Sequence, residues 1–102
     1  MFRGILSTIY LNYKGKANLS KIYNELRRFY MNHKFIKILK NKNLSTNNVI
    51  NTNNCQISVC KSKDKKKLII LSSIDNLIKG GAGQAVQNLN LIFNFKLNEG
   101  LK

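Results

Sequence analysis

The fold is decided by residues 55–73, CQISVCKSKDKKKLIILSS. Residues 55–60 alternate apolar and polar side chains, and residues 68–73 are rich in β-branched and other apolar side chains, as strands are. Between these runs, residues 61–67 carry five lysines and Asp64, a composition that suits a solvent-exposed turn. The stretch therefore predicts a β-hairpin.

Two more strands and two helices are predicted outside this hairpin. Alternating side chains predict a strand over residues 4–13, and a short apolar run predicts another over 35–39. Residues 19–30 carry an apolar stripe at helical spacing, and residues 80–93 repeat that spacing. We therefore expect an α+β fold, a largely antiparallel sheet with two packed helices, in one domain over residues 1–102.

Residues 40–54 hold seven asparagines and little to bury. This composition fits a linker between two units. The segment is also short enough to be a connecting loop within one domain.

Composition excludes several classes of protein. The chain has 102 residues, a formal net charge of +14 and 43% hydrophobic residues, which is too apolar for a disordered basic tail. No apolar run reaches the roughly 18 residues that a membrane span needs, so we expect no membrane association. Two cysteines are too few for a disulfide scaffold, and reduced cysteines indicate a cytoplasmic location.

The positive charge has two possible explanations, nucleic-acid binding and codon bias. It would attract phosphate backbones, as in a small RNA-binding protein. However, Asn, Lys and Ile number 16, 15 and 12, and these residues share A- and T-rich codons. Lysine also outnumbers arginine 15 to 3, whereas RNA recognition favours the planar guanidinium. Codon bias is the favoured interpretation, and no specific nucleic-acid partner is expected.

No set of residues assembles a catalytic or metal site. The single histidine, His33, lies at the predicted exit of the first helix, and Cys55 and Cys60 point to opposite faces of one strand. The acids form no pair at catalytic or metal-binding spacing; they are Glu25, Asp64, Asp75 and Glu99. We expect structural thiols, no catalytic residue and no metal.

The most distinctive segment is residues 72–95, SSIDNLIKGGAGQAVQNLNLIFNF. Gly80, Gly81 and Gly83 fall in the predicted first helical turn, where free N–H groups attract polar ligand atoms and a backbone or flat ligand can approach closely. Residues 80–95 hold no charged side chain, which predicts a helix enclosed on most sides. Tight packing and ligand binding explain these glycines equally well.

Residues 75–91, DNLIKGGAGQAVQNLNL, closely resemble the C-terminal signature of the N-acetyl-gamma-glutamyl-phosphate reductase family, DNLVKGAAGQAVQNMNLM. Shorter stretches resemble other family motifs in the same order. These are residues 2–8 (PMxRGILAT), 29–39 (YYxxxPFVRVL), 52–57 (GTNYCDI) and 99–101 (TxGL). The resemblance covers essentially the whole chain.

The sequence also departs from the family pattern. Gln56 replaces the usual Asp, Asn51 replaces a Gly, Gly81 often replaces an Ala, and no proline precedes Phe35. The family is much longer, with a dinucleotide-binding domain, a nucleophilic cysteine in a GCYPT-like motif, and histidines in HRH-type and PHxxPM segments. None of these motifs is present, so we expect a split or truncated gene and an inactive isolated chain.

The resemblance implies a function. The family uses NADPH to reduce N-acetyl-glutamyl 5-phosphate to N-acetyl-glutamate 5-semialdehyde in arginine biosynthesis. Its cysteine attacks the acyl phosphate to form a thioester, and histidine serves as the acid–base partner. By resemblance, the chain is part of a catalytic and dimerisation domain related to the C-terminal domain of glyceraldehyde-3-phosphate dehydrogenase.

The resemblance also implies site residues and partners. Asn76 and the Gly80–Gly83 turn (Gly80, Gly81, Ala82 and Gly83) would lie beside the nicotinamide, and Arg3 would face an anionic group of the substrate. The expected partners are the missing N-terminal part of the reductase and further copies in a homo-oligomer. A non-functional remnant of the enzyme remains an alternative, and a small RNA-binding protein is a weaker one.

Overall fold

A computed structural model describes residues 2–16 and 18–102 as one four-stranded sheet with helices. The strands are β1 (Ile5–Asn12), β2 (Ile36–Lys40), β3 (Cys55–Lys61) and β4 (Lys67–Ile74). The α-helices are α1 (Leu19–Phe29) and α2 (Gly83–Ile92), and two shorter elements are a 3-10 turn (Thr46–Asn48) and a π-helical turn (Ile78–Ala82).

The sheet has the strand order β1-β4-β3-β2. Strands β3 and β4 form the predicted antiparallel hairpin, and β1 pairs antiparallel with β4. Only β2 departs from the antiparallel pattern, since it runs parallel to β3. The α+β, largely antiparallel prediction is confirmed.

Residues 40–54 are a connecting loop within the domain. They return the chain from the end of β2 to the start of the parallel strand β3, as a parallel pair requires. Thr46, Val49 and Asn53 are buried along the way. The loop alternative is therefore correct and the linker alternative is wrong.

The core lies between α1 and the sheet. Leu19 from α1 contacts Val59 and Leu68 from the hairpin, and Ile22 and Leu26 pack against this cluster. Asn18 caps the helix, since its side chain accepts a hydrogen bond from the Lys21 N–H at 3.0 Å. The apolar stripe read from the sequence packs on the sheet at Leu19, Ile22 and Leu26, whereas Phe29 at the end of α1 is exposed.

The strand directions bring distant segments to one end of the sheet. Ile5 at the start of β1 pairs with Ile74 at the end of β4, and Cys55 at the start of β3 pairs with the same residue. The segments just outside these strands therefore meet. We call this the junction end; it holds Arg3, Gly4, Asn51, Asn53, Asp75 and Asn76.

Helix α2 differs from the prediction in two ways. The regular helix begins at Gly83 rather than residue 80, because residues 78–82 form the π turn first. The helix packs mainly against that turn and makes few contacts with the strands. Its apolar side chains are therefore exposed, not enclosed, within this chain: Val86, Leu89, Leu91, Ile92 and Phe93.

Among the described residues, no helix is long and apolar enough to cross a membrane.

Candidate functional site

Asp75 organises the junction end. It follows β4 directly, and its carboxylate is fully buried. Arg3 donates to both carboxylate oxygens, through Nε at 3.3 Å and Nη2 at 2.5 Å. Backbone N–H groups of Asn51, Leu77 and Ile78 donate to the same carboxylate at 2.7, 2.9 and 3.3 Å. One side chain thus ties together three segments.

These contacts also control the charge of Asp75. Burial alone would raise the pKa of the carboxyl group. The N–H donors of Asn51 and Leu77 and the Arg3 guanidinium outweigh that effect, so the pKa of Asp75 lies below its usual value. The residue is therefore a buried carboxylate whose partners need its negative charge, and not a proton donor.

Gly4 and Asn76 form a second tie beside Asp75. The Gly4 N–H donates to Oδ1 of Asn76 at 2.7 Å. Gly4 has φ +106°, and an added Cβ would lie 2.7 Å from Cβ of Thr46, so only glycine fits. The oxygen of Asn76 accepts this bond with one of its two lone pairs.

The π turn uses the amides that the sequence predicted to be free. The N–H groups of Gly80, Ala82 and Gly83 donate to the carbonyl oxygens of Asp75, Leu77 and Ile78. The expectation of free N–H groups is wrong at these three positions, because the wider π turn, with its i→i+5 hydrogen bonds, continues the hydrogen-bonded backbone into α2. The turn instead presents an exposed surface almost without side chains, at Gly80, Gly81 and Ala82.

Gly83 faces the interior instead. It is buried, and an added Cβ would lie 2.5 Å from Cγ2 of Ile78 and 2.6 Å from Oδ1 of Asn53. Oδ1 of Asn53 accepts no hydrogen bond from the described residues. Tight packing therefore explains Gly83, whereas Gly80 and Gly81 are open to a ligand.

A polar network anchors the first turns of α2. Buried Asn53 donates through Nδ2 to Oε1 of Gln87 at 2.8 Å, and Nζ of Lys79 donates to the same oxygen at 2.9 Å. The Lys79 ammonium lies 5.6 Å from the ring centroid of Phe35. Burial lowers the pKa of Lys79 below its usual value, with the nearby Cys55 opposing that shift. This network joins α2 to the loop before β3.

Within residues 2–16 and 18–102, none of the remaining chemically active side chains shares a side-chain hydrogen bond with the junction residues, although Cys55 begins β3 at that end of the sheet. Cys55 is buried with its Sγ 3.7 Å from Oγ of Ser72, and Cys60 is a second free thiol. His33 is exposed and packs against the rings of Phe29 and Tyr30. No group of three metal-ligating side chains exists in the described part of the chain.

Sequence reasoning named part of this site and missed part. Arg3, Asn76 and the glycine turn do meet at one end of the sheet. Asp75 and Asn53 were not singled out. One feature of the sequence pointed to Asp75: it is the only acidic residue in the stretch 68–95, whose only other charged residue is Lys79.

The sequence model that describes the semialdehyde dehydrogenase dimerisation domain matches residues 1–76. A Clostridium botulinum (strain Eklund 17B / Type B) protein named N-acetyl-gamma-glutamyl-phosphate reductase is 49% identical over 97% of this chain and 29% of its own length. A Thermoanaerobacter pseudethanolicus protein of the same name is 44% identical over 99% of this chain and 30% of its own.

A Campylobacter jejuni protein of that name is also 44% identical, over 100% of this chain and 30% of its own length. The chain therefore spans less than a third of the curated relatives that it matches. The family match covers β1 to β4 and the Asp75–Asn76 junction. The chain belongs to the semialdehyde dehydrogenase dimerisation-domain family.

Proposed function

We propose that this chain supplies the C-terminal part of an NADPH-dependent N-acetyl-gamma-glutamyl-phosphate reductase, acting in arginine biosynthesis in the cytoplasm. Three relatives with that name support the proposal. The observation that carries it is the fold of residues 75–91. They form a bare, exposed π turn that Asp75 joins to the starts of β1 and β3, followed by an uncovered apolar helix.

The proposed ligand of the turn is the nicotinamide end of the cofactor. Gly80, Gly81 and Ala82 are exposed, and an added Cβ at Gly81 meets nothing closer than 3.4 Å, so a flat ring has access to the backbone. Asn76 keeps amide N–H groups for a carboxamide oxygen. In this proposal the nicotinamide supplies the reducing equivalents, and Gly83 supports the turn from beneath.

Arg3 has a narrower role than the resemblance implies. Its Nε and Nη2 donate to Asp75, which leaves Nη1 without a partner among the described residues. The guanidinium is 22% exposed. We propose that Arg3 positions the Asn76 segment through Asp75 and offers only its remaining N–H groups to an anionic substrate.

The uncovered face of α2 is the proposed contact with the part of the relatives that this chain does not span. Val86, Leu89 and Phe93 recur at helical spacing and are 38%, 46% and 62% exposed. An exposed, contiguous apolar helix face marks a surface that binds another protein segment. A catalytic cysteine and histidine, which this chain does not offer at the junction, would come from the same part.

A second copy is the proposed partner for the β1 side of the sheet. Ile5, Ile9 and Leu11 share the α1 face with the buried Val59 and Leu68, through the β1–β4 and β3–β4 registers. Helix α1 covers β2 and β3, and these three side chains stay 45%, 45% and 39% exposed. The dimerisation-domain match supports this assignment.

Reconstitution from two polypeptides tests the proposed function. The N-terminal part of the Clostridium botulinum relative, cut where its similarity to this chain begins, is mixed with this chain. NADPH-dependent reduction of N-acetyl-glutamyl 5-phosphate is then measured. We expect turnover from the mixture and none from either part alone.

The matched control is the same N-terminal part mixed with the relative's own C-terminal part. If that control turns over and the mixture with this chain does not, the proposal is wrong and the chain is a non-functional remnant. Turnover by this chain alone would contradict the proposal that the catalytic cysteine comes from the N-terminal part.

A further inference from the structure

The lysines of this chain are concentrated at one end of the sheet. Nine of the fifteen lie there, and Asp64 is the only acid among them. The sheet topology brings these lysines together, because β1, β2 and β3 terminate at this end of the sheet and β4 begins at it. They are Lys14, Lys16, Lys40, Lys42, Lys61, Lys63, Lys65, Lys66 and Lys67. Codon bias explains many lysines, but it does not explain their gathering at the end opposite the junction.

This basic end contains a cleft of about 760 Å³ between the start of α1 and the β3–β4 turn. Its described lining includes five lysines and one acid, for a formal charge of +4: Lys16, Lys40, Lys61, Lys65, Lys67 and Asp64. These lysines come from three separate stretches of the chain, residue 16, residue 40 and the turn at 61–67, which the fold brings together.

Most of this charge is uncompensated. Lys67 lies 3.9 Å from Asp64, and Lys40 lies 5.8 Å from the ring centroid of Tyr23. Lys16, Lys61 and Lys65 are exposed and have no ion-pair partner among the described residues. Ammonium groups held near one another repel, and a multivalent anion relieves that repulsion.

The lining also indicates what kind of anion fits. It contains no aromatic side chain and no arginine among the described residues, so a nucleobase finds nothing to stack on. Lysines act as point charges for phosphate oxygens, and two hydroxyl side chains, Ser20 and Ser62, also line the cleft. We propose that this cleft binds a chain of linked phosphates.

Isothermal titration of the 102-residue chain with inorganic tripolyphosphate at low salt tests the proposal. The cleft variant is Lys16→Gln, Lys61→Gln and Lys65→Gln together. The control variant is Lys34→Gln, Lys96→Gln and Lys102→Gln, three exposed lysines outside the basic end with the same loss of charge. Circular dichroism checks that both variants keep the parent's secondary structure.

We expect tripolyphosphate to bind, the cleft variant to bind about tenfold more weakly or worse, and the control variant to stay within about twofold of the parent. Orthophosphate should bind more weakly than tripolyphosphate, because a single phosphate cannot span lysines from separate elements. Equal losses in the two variants would assign binding to net charge and overturn the proposal, as would no binding at low salt.

A uridylate trinucleotide, whose phosphates are diesters separated by riboses, tests whether directly linked phosphates are required. We expect it to bind more weakly than tripolyphosphate. Binding of the trinucleotide as tightly as tripolyphosphate, or without tripolyphosphate binding, would overturn the proposal, because directly linked phosphates would then not be what the cleft recognises. This test is independent of the reductase assay, because it involves neither the junction end nor α2.

Discussion

Replacing Gly83 with alanine adds a methyl group to the most crowded glycine of the junction. The new Cβ would lie 2.5 Å from Cγ2 of Ile78, 2.6 Å from Oδ1 of Asn53 and 2.7 Å from the carbonyl oxygen of Ile78. Gly83 has φ −65° and ψ −38°, which alanine adopts freely, so the backbone angles carry no penalty. Any loss of stability therefore comes from steric overlap and not from the backbone angles.

The expected cost follows from overpacking. Forcing extra atoms into a packed site costs about 1–3 kcal/mol, and alanine returns up to about 1 kcal/mol through its helix propensity. The carbonyl of Ile78 belongs to the backbone and cannot rotate aside, so we take the upper part of the overpacking range. After the gain from helix propensity, the free energy of unfolding should fall by about 2 kcal/mol. With a slope near 2 kcal/mol per molar urea, the unfolding midpoint falls by about 1 M.

Gly80→Ala is the matched control in the same urea titration, followed by circular dichroism. Its added Cβ would lie 3.3 Å from Cδ1 of Ile74, the mobile end of a side chain. We expect a change within about 0.5 kcal/mol. If Gly83→Ala unfolds at the same urea concentration as the parent chain, the packing role assigned to Gly83 is refuted.

Three further predictions concern the same end of the sheet. Gly4→Ala combines φ +106° with a Cβ 2.7 Å from Cβ of Thr46, so its free energy of unfolding should fall by about 1–3 kcal/mol in the same titration. An unchanged midpoint would contradict the statement that only glycine fits at position 4. Folding lowers the pKa of Asp75 below its ordinary value of 3.8, so the ionised carboxylate stabilises the folded chain above that pH, and this stabilisation is lost as the pH falls through the folded pKa. The free energy of unfolding of Asp75→Asn should therefore fall less steeply than that of the parent chain below pH 3.8. Identical acid-unfolding profiles of the two proteins would rule this out. In the reconstituted enzyme, Asn76→Ala should lower turnover by about tenfold through lost amide hydrogen bonds, and Gly80→Val should raise the NADPH concentration needed; normal kinetics in both variants would reduce the segment to packing.

The local patterns predicted the elements well because they depend on neighbours in sequence. The hairpin over residues 55–73 needed only two apolar runs and a lysine-rich turn, and helix α1 needed only its apolar stripe. The parallel pairing of β2 with β3 depends on how the 40–54 loop returns, and no local pattern encodes that path.

The site was less accessible to sequence reasoning, for the same reason. Asp75 and Arg3 are separated by 72 positions, so their pairing could not be read from spacing. The π turn depends on the bonds from Gly80 and Ala82 to Asp75 and Leu77, whereas glycine spacing suggested an ordinary first helical turn. The sequence analysis predicted that α2 is enclosed because the helix carries no charge. Under the proposed function, that lack of charge reflects contact with a partner outside this chain.

Hydrogen–deuterium exchange on the reconstituted reductase tests the central claim, that residues 75–83 lie beside the cofactor. Exchange is followed with and without NADPH, and peptides covering residues 75–83 are compared with peptides covering residues 22–32, which lie outside both the junction end and the lysine-lined cleft. We expect slower exchange over 75–83 on NADPH addition and no change over 22–32. Unchanged exchange over 75–83 at a saturating NADPH concentration would contradict this claim.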